Sequence, residues 1–405
     1  MRSGVKVLES PWPLVPLKQV VDQNRPVTYG VVQPGERQHS GVPIIRGKDY
    51  SSGSIDREDL YLIHPSVATA YARSTVEPGD ILLSIVGYVG QTAEVPAELS
   101  GANITQTTAR IAVRSEHSSR FFLHQLRSSQ VQTQIQRLVK GSAQPGLNLS
   151  DVEKIPLKVP SGAVQRRIAY IIDAIDGQIA KSRAAFAKFL VVRDALIEER
   201  LSEIYATTPT VTLEEVAAVD RGRFAARPRN DPAYYDGKYW FIQTGDVASS
   251  SGGVIELASQ TLNERGLATS REFPAGTVAV TIAANIGETA ILGKPMCFPD
   301  SVVGVVAYDG YEPRFLELCL RRAKPRLEAR APQSAQKNIN LQDLRPLRVP
   351  DASVEVQRQL AELWDICEAQ RQQMTRGITK LQTLKQSIAD DLLSGRVRVP
   401  TGSEG

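Results

Sequence analysis

The chain has 405 residues and a formal net charge of +4 at pH 7, and 42% of its residues are hydrophobic and 23% charged. These values are typical of a globular chain of two or three domains, and the mild positive charge permits nucleic-acid binding without requiring it. Because no apolar run approaches the roughly 20 residues that span a bilayer, and residues 1–10 form no hydrophobic signal segment, we expect a cytoplasmic protein with no membrane partner.

Residues 1–160 form the first predicted domain, which has mixed α and β structure. Strand-like runs at 43–46 and 80–86 are bounded by turns rich in glycine and proline, and residues 121–139 have helical spacing. A long helix is predicted directly after this domain, over residues 161–206. The domain is large enough to bury a core of its own.

Residues 207–350 form a second predicted domain with the same order of elements. Its strands are predicted at 239–242 and 277–283, and its helix at 315–329. A second long helix follows over residues 351–395. The sequence therefore predicts an α+β fold in which two similar mixed α/β domains alternate with two long helices.

Both long helices carry an apolar stripe in steps of three and four residues, which includes Ile172, Ile175 and Ile179 in the first helix and Leu384 in the second. At 1.5 Å per residue each helix would be roughly 60 Å long, which is too long for one domain of this size to cover. We therefore expect the helices to pack as an antiparallel coiled coil with approximate two-fold symmetry, followed by a tail at 396–405. The alternative is that each helix packs only on its own domain.

The two halves also match in sequence. The segment Pro-Leu-Lys-Val-Pro at 156–160 returns as Pro-Leu-Arg-Val-Pro at 346–350, and Ser-Ala-Gln at 142–144 returns at 334–336. A repeat of roughly 190 residues is far longer than the repeats of solenoids and propellers, so whole domains have been duplicated. Two similar domains suit a target that is itself bipartite.

Two groups of basic residues contrast with the low net charge. A loop marked by glycine and proline holds Arg221, Arg223, Arg227 and Arg229. A predicted helix holds Arg321, Arg322, Lys324, Arg326 and Arg330. The first group has no evident role in the fold and favours contact with nucleic acid, although a solvated loop is the alternative. The second group is more typical of the exposed face of a helix.

The ordered, doubled set of motifs resembles the DNA-specificity subunit of type I restriction-modification enzymes over nearly the whole chain. The similar pieces are the two Pro-Leu-[Lys/Arg]-Val-Pro segments, GSAQPGLNLSDV from Gly141, QSAQKNINLQDL from Gln333, PGDILLS from Pro78 and DLLSGRVRVP from Asp391. In that family two target recognition domains alternate with two helices that pair as an antiparallel coiled coil. The second domain departs from the pattern where AGTVAVT from Ala275 replaces the GDILLS motif, which concerns a structural strand.

The resemblance implies a non-catalytic subunit that binds double-stranded DNA, with each domain reading one half of a split sequence. It also implies two methylating subunits that carry S-adenosylmethionine and, in the full complex, restriction subunits that use ATP and Mg²⁺. This chain itself is expected to hold no cofactor and no metal. The alternative is a scaffold or anti-restriction relative that keeps the architecture but no longer reads DNA.

Besides the arginine-bearing loop, two kinds of segment carry residues suited to DNA contact. The Ser-Ala-Gln loops combine small residues and amides with nearby cations, which favours close approach to a phosphate, or alternatively a connector that satisfies its own backbone. Their candidates are Lys140, Ser142 and Gln144 in the first domain and Ser334, Gln336, Lys337 and Asn338 in the second. The other candidates follow a matched strand in each domain. Arg46 and Lys48 lie there in the first domain, and Gln243 lies in the corresponding segment of the second. This difference is expected if the domains read different half-sites, and ordinary loop divergence is the alternative.

Several motifs that carry catalytic chemistry are incomplete. Asp-Pro-Ala-Tyr at 231–234 lacks the second proline of the adenine-methyltransferase motif, and residues 287–294 are wrongly spaced for a phosphate loop. The four histidines and the cysteines Cys297, Cys319 and Cys367 show no ligand spacing, so core or solvated histidines and buried reduced thiols are predicted. Catalysis is therefore expected from partner proteins.

Overall fold

The computed structural model describes residues 12–50, 53–56, 58–141, 145–250, 252–330 and 338–399. The chain divides into two compact units. Unit 1 comprises Met1–Arg183 together with Gly377–Gly405, and unit 2 comprises Ala184–Arg376. Each unit therefore contains one of the two similar domains and a part of both long helices.

Unit 1 is built on two small sheets and a two-stranded ribbon. Its strands are β1 (Leu14–Pro16), β2 (Thr28–Tyr29), β3 (Val42–Ile45), β4 (Tyr61–Ile63), β5 (Ile81–Ser84), β6 (Thr92–Glu94), β7 (Asn103–Ile104), β8 (Thr108–Ile111) and β9 (Pro156–Lys158). Its helices are α1 (Pro65–Ala70), α2 (Ser119–Arg127), α3 (Ser129–Leu138), α4 (Leu149–Val152) and the first part of α5 (Gly162–Thr207). The main sheet has the strand order β2-β8-β5-β6, the second sheet has the order β4-β3-β7, and β1 pairs with β9.

Unit 2 repeats this plan with more strands. They are β10 (Thr210–Thr212), β11 (Ala217–Arg221), β12 (Tyr235–Phe241), β13 (Val254–Ile255), β14 (Gln260–Leu262), β15 (Glu272–Phe273), β16 (Val278–Thr281), β17 (Thr289–Leu292), β18 (Met296–Cys297), β19 (Val302–Ala307) and β20 (Arg348–Pro350). The helices are α6 (Leu213–Val216), α7 (Thr244–Ser250), α8 (Glu264–Thr269), α9 (Pro313–Arg330), α10 (Leu341–Leu344), the second part of α5 and the first part of α11 (Val354–Ser394). The two larger sheets have the orders β11-β19-β16-β17-β13 and β14-β12-β18-β15, and β10 pairs with β20.

A fully buried strand divides the core of each domain into two layers. In β5, Ile81 and Leu83 face the cluster that contains the helices, whereas Leu82 faces a second cluster beneath the sheet. In β16, Val280 and Ala279 divide in the same way between two clusters. Because strand side chains alternate between faces, burial on both sides explains why the first three residues of each strand, 81–83 and 278–280, are apolar.

The helix expected over residues 121–139 is interrupted in unit 1. Ser128 has extended backbone angles, and its hydroxyl donates to Gln125 O at 2.7 Å and accepts from Val131 N at 3.4 Å. Its side chain therefore caps the start of α3. The corresponding α9 of unit 2 continues through Pro325 without a break.

The repeated Pro-Leu-[Lys/Arg]-Val-Pro segments form the strand that closes each domain. In unit 1, Leu157 of β9 lies opposite Val15 of β1, and in unit 2 Val349 of β20 lies opposite Val211 of β10. Both pairs are antiparallel. The first and last strands of each domain are thus joined immediately before the long helix begins.

One buried glutamine attaches each domain to the long helix that follows it. Gln165 Oε1 accepts from Ser118 N at 2.9 Å, and its Nε2 donates to a carbonyl just before α5 at 2.8 Å. Gln357 makes the same two contacts, with Glu312 N at 2.8 Å and a carbonyl just before α11 at 2.8 Å. Both glutamines are 0% exposed. Because Ser118 and Glu312 precede α2 and α9, the same amide couples equivalent helices in both units.

The two long helices run antiparallel within each unit. In unit 1, Ile172 and Leu392 belong to one buried cluster, and Asp176 of α5 lies 2.7 Å from Lys385 of α11. The later residue of α5 thus lies beside the earlier residue of α11, as in an antiparallel pair. In unit 2, the Arg193 guanidinium lies 5.0 Å from the Trp364 ring. Further along α5 in the same unit, Ile204 lines one pocket together with Val356, which precedes Trp364 on α11. The helices are therefore antiparallel in this unit as well.

The expectation that Leu384 is buried is wrong, because this side chain is 49% exposed. Ile172 is 1% exposed. We expect Ile172→Ala to lower the free energy of unfolding by about 2–5 kcal/mol, since it removes buried methyl groups and leaves a cavity. Leu384→Ala should cost less than about 1 kcal/mol, although it also removes a large aliphatic side chain. Urea denaturation of both variants measures the difference, and equal losses would contradict the assigned burial.

All three cysteines are buried and free, as the sequence predicted. Burial raises the pKa of Cys297 to about 11 and that of Cys319 to about 12. Both thiols are therefore protonated and poorly nucleophilic near neutral pH. Within the described part of the chain, no helix is both long and apolar enough to cross a bilayer.

Candidate nucleic-acid interface

In unit 2, two strands bring candidate residues to the same end of the main sheet. Both β11 and β16 run antiparallel to β19, with Arg221 opposite Val303 and Thr281 opposite Val302. The chain therefore leaves both strands at one edge of the sheet. The arginine-bearing loop follows β11 after Arg221, and a hairpin loop follows β16 after Thr281.

Unit 1 has the same arrangement with a different side chain. Both β2 and β5 run antiparallel to β8, with Tyr29 opposite Ala109 and Ser84 opposite Thr108. Tyr29 therefore occupies the position that Arg221 has in unit 2. The shared backbone geometry places chemically different residues at equivalent ends of the two sheets.

A turn with a shared carboxylate cap follows matched strands in both units. Asp49 Oδ2 accepts from Arg46 N at 2.8 Å, and Asp246 Oδ2 accepts from Gln243 N at 2.7 Å. The side chains before the caps differ in their partners. Arg46 donates to Asp49 through Nε and Nη2 at 3.0 and 2.9 Å, whereas Gln243 Nε2 donates to Gln260 Oε1 at 3.0 Å. The aspartate therefore fixes the backbone, and the preceding side chain varies between the units.

The turn of unit 1 lies at the end of β5. An added Cβ at Gly47 would lie 3.1 Å from Ser84 Oγ, so the turn closely approaches this strand. The buried Tyr50 hydroxyl lies 3.1 Å from Thr108 Oγ1, and burial raises the pKa of Tyr50 well above its ordinary value. Lys48 projects from this anchored turn and is exposed. In unit 2 the corresponding helix α7 packs against β16 and β17.

Arginines from the following helices hold the far side of these turns. Arg127 donates to Gly53 O at 2.6 Å and to Thr92 Oγ1 at 3.0 Å. In unit 2, Arg314 donates to Gly252 O at 2.5 Å. Both glycines have positive φ, 87° and 77°, which favours glycine at the turn. The turns are therefore fixed on two sides before any ligand binds.

The segments beside the Ser-Ala-Gln loops pair with the hairpin loops. Gly146 forms β-bridges to Val86 and Lys140, and Asn338 forms one to Ala283. These contacts place Lys140 and Asn338 next to the hairpin loops at the ends of the main sheets. In each unit, a described residue that flanks the Ser-Ala-Gln segment therefore pairs with the equivalent hairpin loop.

Several predicted contact residues are outside the described part of the chain. They are Ser142, Gln144, Ser334, Gln336 and Lys337, and their contact with DNA stays a prediction. Lys140 is exposed, and its Nζ lies 2.8 Å from Asp151 Oδ2. The hydrogen bond from Lys140 lowers the pKa of Asp151 below its ordinary value.

The four arginines of the loop in unit 2 differ in how they are held. Arg221 is exposed and has no hydrogen bond or ion pair from its side chain among the described residues. The others are held by Ser270 O for Arg223 at 2.9 Å, by Ala226 O for Arg227 at 2.7 Å and by Asp300 for Arg229 at 3.1 Å. Among these four arginines, Arg221 can therefore bind a ligand without first breaking a contact within the described residues.

The comparison with protein families matches both domains separately. The sequence model described as the type I restriction modification DNA specificity domain matches residues 13–185 and again residues 207–382. The chain belongs to this family. The two matches also reproduce the internal duplication that the repeated motifs indicate.

Individual relatives of the specificity-domain family agree with this assignment. The specificity subunit of the type I restriction enzyme EcoBI from Escherichia coli is 28% identical over 255 residues, which cover 63% of this chain and 48% of that protein. The chain thus matches about half the length of this curated relative. A chain from a structure of a type I restriction-modification system has a TM-score of 0.66 at 18% identity, covering 96% of this chain and 100% of that chain. The HsdS subunit from Thermoanaerobacter tengcongensis has a TM-score of 0.52 at 19% identity, covering 95% and 97%. These structural likenesses concern the fold.

The second basic cluster of this specificity-domain chain is largely occupied by ion pairs. The pairs are Arg321 with Glu317 at 2.9 Å, Arg322 with Glu198 at 3.1 Å and Lys324 with Glu288 at 2.6 Å. This arrangement favours the structural interpretation of the cluster. Glu317 lies four residues before Arg321 on the same helix, whereas Glu198 and Glu288 come from other parts of the sequence. The spacing of the basic residues alone did not reveal these two distant partners.

One charged network in unit 1 was missed at the level of sequence. His124 Nε2 lies 2.8 Å from Asp173 Oδ1, Asp173 also pairs with Arg120, and the nearby Asp176 pairs with Lys385. Burial opposes ionisation of Asp173, but hydrogen bonds from His124 and Arg120 and the nearby charge outweigh it and lower the pKa of Asp173 well below its usual range. Donor atoms of His124, Asp173 and Asp176 lie within 4.8 Å of one another. Because Arg120 and Lys385 balance both carboxylates, ion pairing accounts for this group.

The hairpin loops themselves are the second feature that the motif analysis missed. They span residues 85–90 in unit 1 and 282–287 in unit 2. The available signal was a Gly-x-x-Gly sequence at 87–90. It is incomplete in unit 2, where Ala284 replaces the first glycine, so the repeat did not draw attention to it.

Proposed function

We propose that the chain is the non-catalytic DNA-specificity subunit of a type I restriction-modification system and reads a bipartite DNA target with one domain per half-site. The observation that carries this proposal is the pair of equivalent sheet ends with different side chains. Unit 1 presents Tyr29, Arg46 and Lys48 where unit 2 presents Arg221 and Gln243. A backbone arrangement that both units share, with different polar and aromatic side chains, suits two domains that read different bases.

The partners follow from this proposal. The chain scaffolds two methylating subunits, so that each half-site receives one active site, and restriction subunits join them in the full complex. S-adenosylmethionine belongs to the methylating subunits, and ATP and Mg²⁺ belong to the restriction subunits. The exposed Tyr170, Val191, Val192 and Ile366 of α5 and α11 support docking of partners on the long helices, since large apolar side chains line these helices in solvent.

Duplex binding in the presence of the methylating subunits tests the proposal. The chain and its partners are incubated with a library of randomised duplexes, and bound sequences are enriched and read. The proposal predicts two short, unlike sequence elements at a fixed spacing. An assembled complex that enriches no sequence would support a scaffold or anti-restriction role instead.

Arg221 provides a specific test of base contact against phosphate contact. Arg221→Ala should weaken binding to the preferred duplex by about 1–3 kcal/mol and relax one base position, whereas Lys337→Ala should weaken all sequences alike. Loss of one phosphate contact reduces the slope of the logarithm of the binding constant against the logarithm of the salt concentration by about one, and loss of a base contact leaves this slope unchanged. The exposed Arg358 of α11 supplies the matched control. Binding is titrated at several salt concentrations. Equal affinity and equal base preference for Arg221→Ala and Arg358→Ala would contradict the assignment of Arg221 to a base contact.

A further inference from the structure

We propose that the two hairpin loops, residues 85–90 and 282–287, enter the DNA and that Tyr88 and Asn285 contact bases, one in each half-site. This inference rests on the proposed function and names base-contacting residues for it. Asn285 would bind the edge of an adenine. Tyr88 would contact the other half-site through its ring.

The two loops share one backbone conformation. Gly90 and Gly287 close them by donating to the last residue of the preceding strand at 3.0 and 2.9 Å. At the tips, Gly87 has a φ of 76° and Ala284 has a φ of 62°. Left-handed angles are unfavourable for alanine. Unit 2 therefore keeps the same loop shape even where the residue is strained, and retained strain of this kind is characteristic of functional sites.

The base of each loop is fixed by the helix that follows in the fold. Gln132 of α3 donates to Gly90 O at 2.9 Å, and Lys324 of α9 pairs with Glu288 at 2.6 Å. The β-bridges to Gly146 and Asn338 hold the opposite side. The loops are therefore held on both sides by contacts within their own unit.

Adjacent residues on each loop point in opposite directions. Ile286 is buried in the core of unit 2, and Val89 packs against the core of unit 1. The preceding residues are in solvent, with Tyr88 57% exposed and Asn285 exposed. Within the described residues, neither side chain makes a hydrogen bond or a ring contact. A rigid loop thus presents one uncommitted side chain in each unit.

The position and chemistry of these side chains suit recognition of bases. They extend from the same sheet ends as Tyr29 and Arg221, next to the turns that carry Arg46 and Gln243. An asparagine amide can make two hydrogen bonds with the major-groove edge of adenine. A tyrosine ring offers apolar contact with bases and a hydroxyl for hydrogen bonding. Because the loops are already ordered, binding would cost little conformational entropy.

Two substitutions test the inference in the full chain assembled with its methylating subunits. The probe is a duplex that carries the sequence methylated by the wild-type complex, together with duplexes altered at each base of each half-site. Asn285→Ala should weaken binding about 5- to 150-fold and remove discrimination at one adenine position. Tyr88→Ala should lose discrimination in the other half-site only.

Exposed residues elsewhere supply the controls. Gln342→Ala is the control for the amide, and Tyr308→Ala, at a side chain that is 49% exposed, is the control for the tyrosine. Both should bind as wild type, and thermal unfolding should be unchanged in all four variants. If Asn285→Ala and Tyr88→Ala also bind as wild type while the wild-type complex remains sequence-specific, the loop inference is wrong and the proposed function stands. Uniform weakening on all sequences would indicate phosphate contact and overturn base readout. If the wild-type complex has no sequence preference, both the function and the inference are overturned.

Discussion

Exchanging residues 207–345 for the equivalent domain of a relative should change one half of the recognised DNA sequence and leave the other half unchanged. The exchanged segment carries Arg221, Gln243 and the loop at 282–287, whereas the contacts of unit 1 come from other residues of the chain. The expected effect is large, because specific sites are typically bound about 10³- to 10⁷-fold more tightly than non-specific DNA. The chimera should therefore lose almost all of its specific affinity for the original target sequence.

Methylation assays on duplexes with all four combinations of old and new half-sites measure this outcome. The chimera should methylate only the combination that keeps the half-site of unit 1 and takes that of the donor. The reciprocal exchange of the first domain is the control and should alter the other half-site. Altered recognition in both halves, or an unchanged target, would contradict independent reading by the two domains. A turn added to either long helix should instead change the spacer alone.

Glu317→Ala should lower the free energy of unfolding of unit 2 by about 3–5 kcal/mol. Glu317 is 0% exposed, and its carboxylate accepts from Thr289 at 2.6 Å, pairs with Arg314 at 3.0 Å and pairs with Arg321 at 2.9 Å. Removing one member of a buried charged group leaves the remaining charges without compensation. The Arg314 and Arg321 guanidiniums also lie 5.6 and 4.5 Å from the Trp364 ring, so the loss extends to the contact with α11.

Glu203→Ala is the matched control for Glu317→Ala. Glu203 pairs with Arg200 at 2.8 Å in the same i,i+3 spacing, but both side chains are more than half exposed. Exposed pairs contribute little, so this change should cost less than about 1 kcal/mol. Denaturant unfolding followed by tryptophan fluorescence compares the variants. Similar losses for the two would mean that the buried network does not stabilise unit 2.

Much of the architecture could be predicted from the sequence because the signals were local or repeated. The Pro-Leu-[Lys/Arg]-Val-Pro segments before the long helices correspond to β9 and β20, and the apolar stripes correspond to α5 and α11. The error at Leu384 has a physical cause. Helical spacing shows which residues share a stripe, but not which of them the partner helix covers. The break at Ser128 was missed because capping depends on the side-chain conformation.

The candidate interface was predictable only in part. The correspondence between Arg46 and Gln243 could be aligned from the sequence, but the Asp49 and Asp246 caps that give both turns one shape require distances. Charge alone suggested four equivalent arginines in the loop of unit 2. Only the structure separates Arg221, which has no partner among the described residues, from Arg229, which is paired with Asp300. Long-range partners of this kind leave no spacing signal in one sequence.

Mapping of DNA methylation in cells that express this chain with its methylating subunits tests the central claim most directly. Single-molecule sequencing locates methylated adenines across the genome, and the same host without this chain is the reference. The account predicts one new motif with two short, unlike halves separated by a spacer of constant length, with one methylated adenine in each half. Methylation at a single uninterrupted sequence, or no methylation that depends on this chain, would contradict it.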